Sequence, residues 1–260
     1  MRLALSLNRN EHPWLAMVEF NKDGKEYLVC GGALISGRYV LTAAHCTNLD
    51  VVKAFGKPKL VRLGEYDVSH EGPDCVTVEA GGQDCTDGVT KINVESYTLH
   101  PAYDMVKRKN DIALLRLEEM APFTEFIRPI CLPTNDLILN PPEDLRLYVA
   151  GWGATETKLF SPTKLYVDLP YVPLEKCQTS YTKPPLQIQL WNLQLCAGGE
   201  PGKDACRGDS GGPLVYDSGQ IFEAIGLVSF GPSQCSLEDV PGVYTNIYPY
   251  IDWILNTIIE

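Results

Sequence analysis

Short runs of strand-forming residues recur along the chain, and this recurrence limits the fold more than any other feature. The runs are rich in Val, Ile, Leu, Thr and Tyr, and Gly, Pro, Asn and Asp separate them; examples are RYVLTAAHC, DIALLRL and IFEAIGLVSF. Many short strands between regular turn signals are typical of an all-β sandwich or barrel. With 260 residues, the chain can bury a sizeable core in one large domain or two subdomains.

A long helix fits only the end of the chain. In YIDWILNTII, five apolar residues recur at helical spacing and predict a stripe packed on the β-structure: Ile251, Ile254, Leu255, Ile258 and Ile259. Residues 133–145, PTNDLILNPPEDL, combine proline with acids and predict a surface linker between two halves of similar size.

Charge and cysteine content exclude several classes of function. The formal net charge of −11 argues against nonspecific binding to nucleic acids or anionic membranes, which needs a basic surface. The longest apolar runs are also far shorter than the roughly 20 residues that span a bilayer. Nine cysteines without zinc-type spacing favour disulfides, so we expect an oxidising, extracellular location, no metal site and no cofactor.

One serine has an unusual local sequence. Ser210 lies in CRGDSGGPL, directly after Asp209 and among three glycines. A polar surface turn would explain this stretch in structural terms alone. A nucleophilic serine instead requires a general base, a group that orients the base, and donors for an oxyanion.

The chain supplies candidates for both partners. Of four histidines, only His45 in LTAAHC follows a strand in a small-residue setting with a cysteine beside it. The other three histidines are interpreted as surface or packing residues: His12, His70 and His100. Asp111 in NDIALLRL begins an apolar strand, where it could also simply cap a turn. The chain order His, Asp, Ser together with GDSGGP favours a catalytic interpretation.

These motifs resemble those of the chymotrypsin-fold, trypsin-like serine proteases. LTAAHC, DIALL, GWG, DACRGDSGGPL and PGVYTN occur in family order over nearly the whole chain. The resemblance implies two antiparallel six-stranded β-barrels with a C-terminal helix, in a single peptidase domain over residues 1–260. The first barrel, over about residues 10–132, would carry His45 and Asp111. The second, over about residues 133–260, would carry Ser210 and the C-terminal helix.

The same resemblance implies the role of each site residue. His45 would be the general base, Asp111 its orienting partner and Ser210 the nucleophile. The backbone N–H groups of Gly208 and Ser210 would form the oxyanion hole. Asp209 would pair with an α-ammonium group that activation cleavage releases.

Substrate preference is implied by residues near Ser210. Asp204, six residues earlier, corresponds to the acid at the base of a trypsin-like pocket and favours cleavage after Arg or Lys. Beside it, Ala205 replaces a serine that some relatives use to solvate lysine, so we expect arginine to be preferred. Three further residues would line the pocket: Ser229, Gly231 and Gly242.

The cysteines fit the resemblance as well. It implies the pairs Cys30–Cys46, Cys177–Cys196 and Cys206–Cys235, whereas Cys75 and Cys85 would close a small loop of their own. That loop, after RLGEYD, is similar to one in arthropod clip-domain serine proteases, which act in extracellular immune and developmental cascades. We therefore expect the substrate to be another zymogen cleaved after Arg, and a serpin-type inhibitor to be among the partners.

The residues leave two further features open: the partner of Cys131 and a calcium site. Cys131 would tie the domain to an upstream propeptide or light chain, although a free, buried thiol is the alternative. Calcium could bind at Glu65 and Asp67, although two acids in a polar loop are more often solvated.

The start of the chain departs from the family pattern. MRLA stands where relatives carry an Ile-Val-Gly-Gly-like terminus, and no clear signal peptide is visible. We interpret Met1 as a truncated or alternative start of a longer secreted zymogen. The prediction is a secreted serine endopeptidase; the alternative is a non-catalytic, zymogen-like binding or regulatory protein.

Overall fold

The computed structural model describes residues 5–6, 11–77, 82–155, 157–232, 234–235 and 237–259. The strands of this part are, in order, β1 (Leu5–Ser6), β2 (Leu15–Lys22), β3 (Lys25–Ser36), β4 (Tyr39–Thr42), β5 (Pro58–Leu63), β6 (Cys75–Thr77), β7 (Gln83–Cys85), β8 (Thr90–Leu99), β9 (Ala113–Leu117), β10 (Arg146–Gly151), β11 (Leu165–Val172), β12 (Gln194–Gly198), β13 (Pro213–Asp217), β14 (Phe222–Phe230) and β15 (Pro241–Asn246). Its α-helices are α1 (Leu49–Phe55), α2 (Leu174–Tyr181) and α3 (Ile251–Thr257). MRLA lies outside the described residues.

The strands form two closed antiparallel barrels of six strands each. The first has the order β2-β3-β4-β9-β8-β5, and the second has the order β11-β10-β13-β14-β15-β12, closed by pairing of β11 with β12. Strand β1 extends the second barrel beside β11, and β6 and β7 form a separate hairpin. The predicted fold of two six-stranded barrels is confirmed. The boundary near residue 133 stays a prediction.

Alternation along the strands explains why the barrels pack against each other. In β2, Ala16, Val18 and Phe20 point into the first barrel, whereas Leu15 and Met17 join a core that also contains second-barrel residues. Side chains of a strand point alternately to opposite faces, so β2 is buried on both sides. The functional residues described below lie near this interface between the barrels.

The helical content differs from the prediction. Helix α3 buries Ile254, but it ends at Thr257, and Leu255 and Ile259 are 62% and 69% exposed. Leu255 is therefore not part of a buried stripe: it lies about 100° round the helix from Ile254, and the two-turn helix has only one buried face. Ile259 lies beyond the helix end.

Two short helices were not predicted. Helix α1 buries none of its residues, and its N-terminus is capped by Asn48, whose side chain accepts hydrogen bonds from Asp50 N and Val51 N. Helix α2 buries only Cys177 and Tyr181. Such short helices with so few buried residues leave little apolar periodicity for sequence analysis to detect. Within the described residues, no helix is both long and apolar enough to cross a membrane.

Candidate active site

His45 lies in a single 3₁₀ turn, Ala44–Cys46, that follows β4. The turn is held by hydrogen bonds from Cys46 N to Ala43 O and from Thr47 N to Ala44 O, at 3.1 and 3.0 Å. Ala43 and Ala44 are fully buried, and Cys46 forms a disulfide with Cys30 on β3. The small residues and the disulfide fix the turn, and the His45 side chain remains 28% exposed.

Asp111 is buried just before β9 and contacts His45 with both carboxylate oxygens. Oδ2 lies 2.8 Å from His45 Nδ1, and Oδ1 accepts a 2.7 Å hydrogen bond from the His45 backbone N–H. The Ser229 hydroxyl, at 2.5 Å, also donates to Oδ2. The Asp111 carboxylate is therefore held by two neighbours from different parts of the chain.

These contacts determine the charge states of the pair. Burial raises the pKa of Asp111, but attraction to His45 and hydrogen bonds from His45 and Ser229 outweigh it, so the net pKa is below the ordinary value. Burial lowers the pKa of His45, but Asp111 raises it above the ordinary value. An ionised Asp111 accepts a hydrogen bond from Nδ1–H of His45, so the proton stays on Nδ1 and Nε2 is the nitrogen that can accept the serine proton.

Ser210 lies in the turn before β13, next to the His45 turn. Gly31 N donates a 2.8 Å hydrogen bond to Ser210 O, and the Cys46 sulfur lies 3.6 Å from the same oxygen. The residue after Ser210 has to be glycine: Gly211 has φ 78°, and a Cβ there would collide with Thr42 Oγ1 and lie 2.7 Å from Gly31 O. The two barrels therefore approach each other closely beside Ser210.

Gly208 also has a backbone conformation that other residues rarely adopt. Its φ is 100°, and a Cβ there would lie 3.1 Å from Gly153 Cα and 3.2 Å from the Phe160 ring. These contacts place Gly153 and Phe160 against the turn that carries Ser210. The glycine that sequence analysis assigned to the oxyanion hole is thus packed on one side by Phe160.

Asp209 points inward from the same turn and is 2% exposed. Its carboxylate accepts hydrogen bonds of 2.9 Å from Gly153 N and Cys206 N. Burial raises the pKa of Asp209 to about 6, although the two backbone hydrogen bonds oppose the rise. No lysine or arginine of the described residues pairs with this carboxylate. The pairing predicted for it involves the start of the chain, which is not described.

A cavity of about 220 Å³ opens beside Ser210. All five residues that sequence analysis assigned to substrate binding line it: Asp204, Ala205, Ser229, Gly231 and Gly242. Asp204 is only 4% exposed, and a Cβ on Gly242 would lie 3.4 Å from its Oδ1. The missing side chain at position 242 therefore keeps the space in front of the acid open.

Several contacts of the site, and some of its residues, were not predicted from the sequence. Thr245 Oγ1 donates a 2.9 Å hydrogen bond to the backbone oxygen of Asp111, and the Ser229 hydroxyl contacts the Asp111 carboxylate. Tyr244 and Phe230 line the cavity, and the Arg108 guanidinium lies 4.6 Å from the centre of the Phe230 ring. Thr245 and Tyr244 belong to the PGVYTN motif, but the motif does not indicate which atoms they contact.

The structure contains the four disulfides that the resemblance implies: Cys30–Cys46, Cys75–Cys85, Cys177–Cys196 and Cys206–Cys235. The last one joins two walls of the cavity. Cys131 is an exposed free thiol, so the alternative of a buried thiol is wrong. Its backbone pairs with Glu223, at the start of β14 on the outside of the second barrel's strand ladder, and its side chain stays exposed.

The remaining histidines and the acids expected to bind calcium do not line the Asp204 cavity. His12 packs on Trp14, and burial lowers its pKa to about 4, whereas His100 packs on Tyr250 and Trp253. Glu65 is buried beside the Arg62 guanidinium, 3.5 Å away.

Near Glu65, the described residues bring together a mixed set of atoms that could bind a metal ion. Asp67, His70 and Asp74 bring one donor atom each within 4.8 Å of one another, but calcium prefers oxygen ligands alone, and one of these donors is a histidine nitrogen. Arg62 already pairs with Glu65, so a calcium ion would compete with that guanidinium for the carboxylate. A calcium ion near Glu65 and Asp67 stays a prediction of the sequence.

Comparison with known proteins agrees with this geometry. A family model described as trypsin matches residues 6–254. The chain is 50% identical over 260 residues to the phenoloxidase-activating enzyme of Bombyx mori, covering 96% of this chain and 58% of that protein. It is 42% identical over 258 residues to CLIP domain-containing serine protease B8 of Anopheles gambiae, covering 94% and 63%, respectively. The chain thus spans about three fifths of the length of these two relatives.

A solved structure is also similar. The crystal structure of the Drosophila Grass clip serine protease of the Toll pathway superposes with a TM-score of 0.81 at 34% identity. The superposition covers 99% of this chain and 72% of that one.

Proposed function

Since the chain belongs to the trypsin family, we propose that it is a serine endopeptidase that cleaves proteins after arginine, and after lysine less well. One observation carries the proposal: Ser210 and the buried acid Asp204 line one cavity, and Ser229 of the same cavity donates a hydrogen bond to the Asp111 carboxylate that holds His45. A catalytic base, a nucleophile and a pocket for a cationic side chain are what hydrolysis after arginine requires.

Acylation begins with proton transfer from Ser210 to His45. His45 Nε2 accepts the Ser210 hydroxyl proton as the oxygen attacks the carbonyl carbon, while Nδ1 remains hydrogen-bonded to Asp111. The resulting imidazolium is stabilised by the ionised carboxylate 2.8 Å away. His45 then donates its proton to the leaving amine, and the acyl group stays on Ser210 until water, activated by the same histidine, releases it.

In the tetrahedral intermediate, the negative charge develops on the substrate oxygen. We assign the stabilisation of this charge to the backbone N–H groups of Gly208 and Ser210. The positive φ of Gly208 supports this assignment, because it gives this turn a conformation that other residues rarely adopt. Removal of one such donor costs about 10² to 10³ in kcat in comparable enzymes.

Preference for arginine is assigned to Asp204 and Ala205. A buried carboxylate at the base of the cavity attracts a cationic side chain, and the planar guanidinium can form two parallel hydrogen bonds with it. Ala205 adds no hydroxyl that would solvate a lysine ammonium. We therefore propose a higher kcat/KM for arginine than for lysine.

Asp209 is proposed to link activation to catalysis. A buried carboxylate whose pKa is raised to about 6 is stabilised when a cation is placed beside it. An α-ammonium group freed by cleavage is the proposed cation. Because Asp209 directly precedes Ser210 and accepts a hydrogen bond from Gly153 N, this pairing would order the oxyanion turn.

The biological role is proposed from the relatives. The similar Bombyx mori protein is named for phenoloxidase activation, and the similar Grass protease is assigned to the Toll pathway. We propose that this chain acts outside the cell in a comparable cascade, cleaves another zymogen and is inhibited by a serpin. The exposed Cys131 thiol supports a disulfide to an upstream propeptide or light chain.

A fluorophosphonate probe tests the enzymatic proposal, because it labels only a serine that an assembled site activates. We expect labelling and hydrolysis of an arginine peptide by the activated protein, and neither by Ser210→Ala. A melting temperature equal to that of the wild type would show that the variant folds. Absence of labelling in the activated protein would instead support a non-catalytic, zymogen-like protein.

A further inference from the structure

A buried lysine lies between the two barrels and does not line the Asp204 cavity. Lys164 directly precedes β11 of the second barrel and is only 3% exposed. Its ammonium group donates a 2.7 Å hydrogen bond to the backbone oxygen of Glu11, which precedes β2 of the first barrel. Burial of a charge costs free energy unless the charge is paired and hydrogen-bonded. The mechanism described above does not use this residue.

Acids on the first-barrel side compensate the charge of Lys164. Burial lowers the pKa of Lys164 to about 8, so its ammonium group is still charged at pH 7. Three acids oppose this fall by attraction: Glu11, Glu65 and Asp74. The neighbouring His12 is neutral, because burial and the charge of Lys164 lower its pKa to about 4. Since Glu65 and Asp74 are themselves 3% and 7% exposed, the second barrel supplies a counter-ion for buried acids of the first.

Backbone hydrogen bonds hold the residues beside Lys164 against the loop that follows β5. The N–H of Lys164 donates to Tyr66 O at 2.8 Å. Val68 N donates to Pro162 O at 2.9 Å, and an antiparallel β-bridge lies between these two contacts. Residues 160–164, called the inter-barrel segment below, are therefore fixed on the first barrel by their backbone and by a buried charge.

The other end of the inter-barrel segment reaches the turn that precedes the nucleophilic serine. Phe160 packs against Gly208, where an added Cβ would lie 3.2 Å from the ring. Ser161 N lies 3.2 Å from the backbone oxygen of Gly153 and donates to it, and Gly153 N donates to the Asp209 carboxylate at 2.9 Å. The segment therefore contacts the oxyanion turn directly through Phe160 and indirectly through Gly153.

We propose that Lys164 is a positioning residue for the oxyanion hole. Its ammonium group fixes one end of the inter-barrel segment, and the other end holds the turn that carries the Gly208 N–H. The inference rests on the proposed function and adds a residue outside the site that controls it. Oxyanion donors act on the transition state, so their displacement lowers kcat rather than raising KM. For Lys164→Met we expect kcat on an arginine peptide to fall about tenfold, less than the 10² to 10³ for loss of one donor.

Two inhibitors of the activated protein separate binding of arginine from binding at the oxyanion hole. Benzamidine is expected to place its amidinium group in the Asp204 cavity and to form no bond with Ser210. A peptidyl argininal fills the same cavity, but Ser210 Oγ adds to its aldehyde carbon, His45 Nε2 takes the serine proton, and the aldehyde oxygen becomes an oxyanion beside the Gly208 N–H. For Lys164→Met we expect the inhibition constant of the argininal to rise about tenfold and that of benzamidine to stay unchanged.

Three further variants test the path from Lys164 to the oxyanion turn. The matched control Lys158→Met removes an exposed lysine six residues earlier and should bind both inhibitors as the wild type does. Lys164→Arg keeps the cation and should retain most of the argininal affinity. Phe160→Ala removes a ring that is 51% exposed, so the buried lysine is undisturbed, and we expect the same difference between the inhibitors. Combined with Lys164→Met, it should cost no more than the larger single change, because the two residues act through one path.

The outcomes separate the two proposals. Equal losses of benzamidine and argininal affinity in Lys164→Met would show a structural role alone and overturn the inference, and so would an unchanged argininal affinity. If Lys164→Met does not fold, Phe160→Ala decides, and wild-type argininal affinity in that variant would overturn the inference. These results leave the proposed function in place while the wild type is labelled by fluorophosphonate. Absence of labelling in the wild type, together with failure to cleave any arginine peptide, would overturn both.

Discussion

Replacement of Asp204 by asparagine removes a charge from the base of the specificity cavity and keeps the size of the side chain. Asp204 is only 4% exposed and lies in a cavity of about 220 Å³, so water cannot replace the lost counter-ion of a bound guanidinium. Loss of one member of a buried ion pair costs about 3 to 5 kcal/mol. At 1.36 kcal/mol for each factor of ten, kcat/KM for arginine peptides is expected to fall by about 150-fold to 5,000-fold.

The assay compares arginine, lysine and leucine aminocoumarin peptides, with each preparation normalised by active-site titration. For Asp204→Asn we expect a large loss on arginine and lysine and almost no change on leucine, because leucine does not use the carboxylate. Glu143→Gln, which removes an exposed acid from the stretch 133–145 that the sequence predicts to be a linker, is the matched control and should behave as wild type.

Two results would refute this reasoning. An Asp204→Asn protein that cleaves arginine peptides at the wild-type rate would show that the cavity does not bind the arginine side chain. A wild-type protein that cleaves lysine as well as arginine would leave the cavity assignment intact and refute the role given to Ala205.

Three further predictions concern the residues around the catalytic turn. Ser229→Ala removes a hydrogen bond to Asp111, and we expect kcat to fall about tenfold with KM nearly unchanged, since a hydrogen bond to a charged group contributes about 1.5 to 3 kcal/mol; an unchanged kcat would contradict this. His45 acts as a base only when neutral, and Asp111 raises its pKa above the ordinary value of 6.5, so the acidic limb of kcat/KM is expected to have its midpoint above pH 6.5; a midpoint below that pH would show that the pair does not form. The pKa of Asp209 is raised from 3.8 to about 6, so its ionisation destabilises the fold: this part of stability is present below pH 4 and is lost as pH rises through 6. We therefore expect Asp209→Asn, measured by denaturant unfolding without an activated N-terminus, to show a smaller loss of stability between pH 4 and 7, by about 3 kcal/mol, and to be inactive; unchanged pH dependence would mean that this carboxylate is solvated or paired.

The sequence predicted those parts of the fold whose conformation depends on residues close together in the chain. Turns rich in glycine and proline between short apolar runs predicted a β-fold, and the quoted motifs predicted two barrels. The cluster around Ser210 also predicted a turn, because Gly208 and Gly211 adopt positive φ values that other residues rarely adopt. In each of these cases the backbone conformation depends on residues a few positions apart.

Prediction was weaker where burial decides the outcome. Leu255 has the same apolar character as Ile254, and their spacing alone did not show that only Ile254 faces the core. Cys131 offered a buried and a tethered interpretation, and only its exposed position in the fold excluded the first. Burial depends on what packs against a residue, and those neighbours are distant in the chain.

The sequence by itself determined the chemical groups of this protein and the local turns that carry them: a histidine beside a cysteine, an aspartate before a strand, and a serine among glycines. Only the tertiary structure decided how those groups are held and what else they contact. Ser229 and Thr245 bind Asp111 across 118 and 134 residues, and Gly31 N donates a hydrogen bond to Ser210 O from the other barrel. These contacts depend on the angle and distance at which the two closed barrels pack, and that packing is set by many buried side chains together rather than by any local pattern.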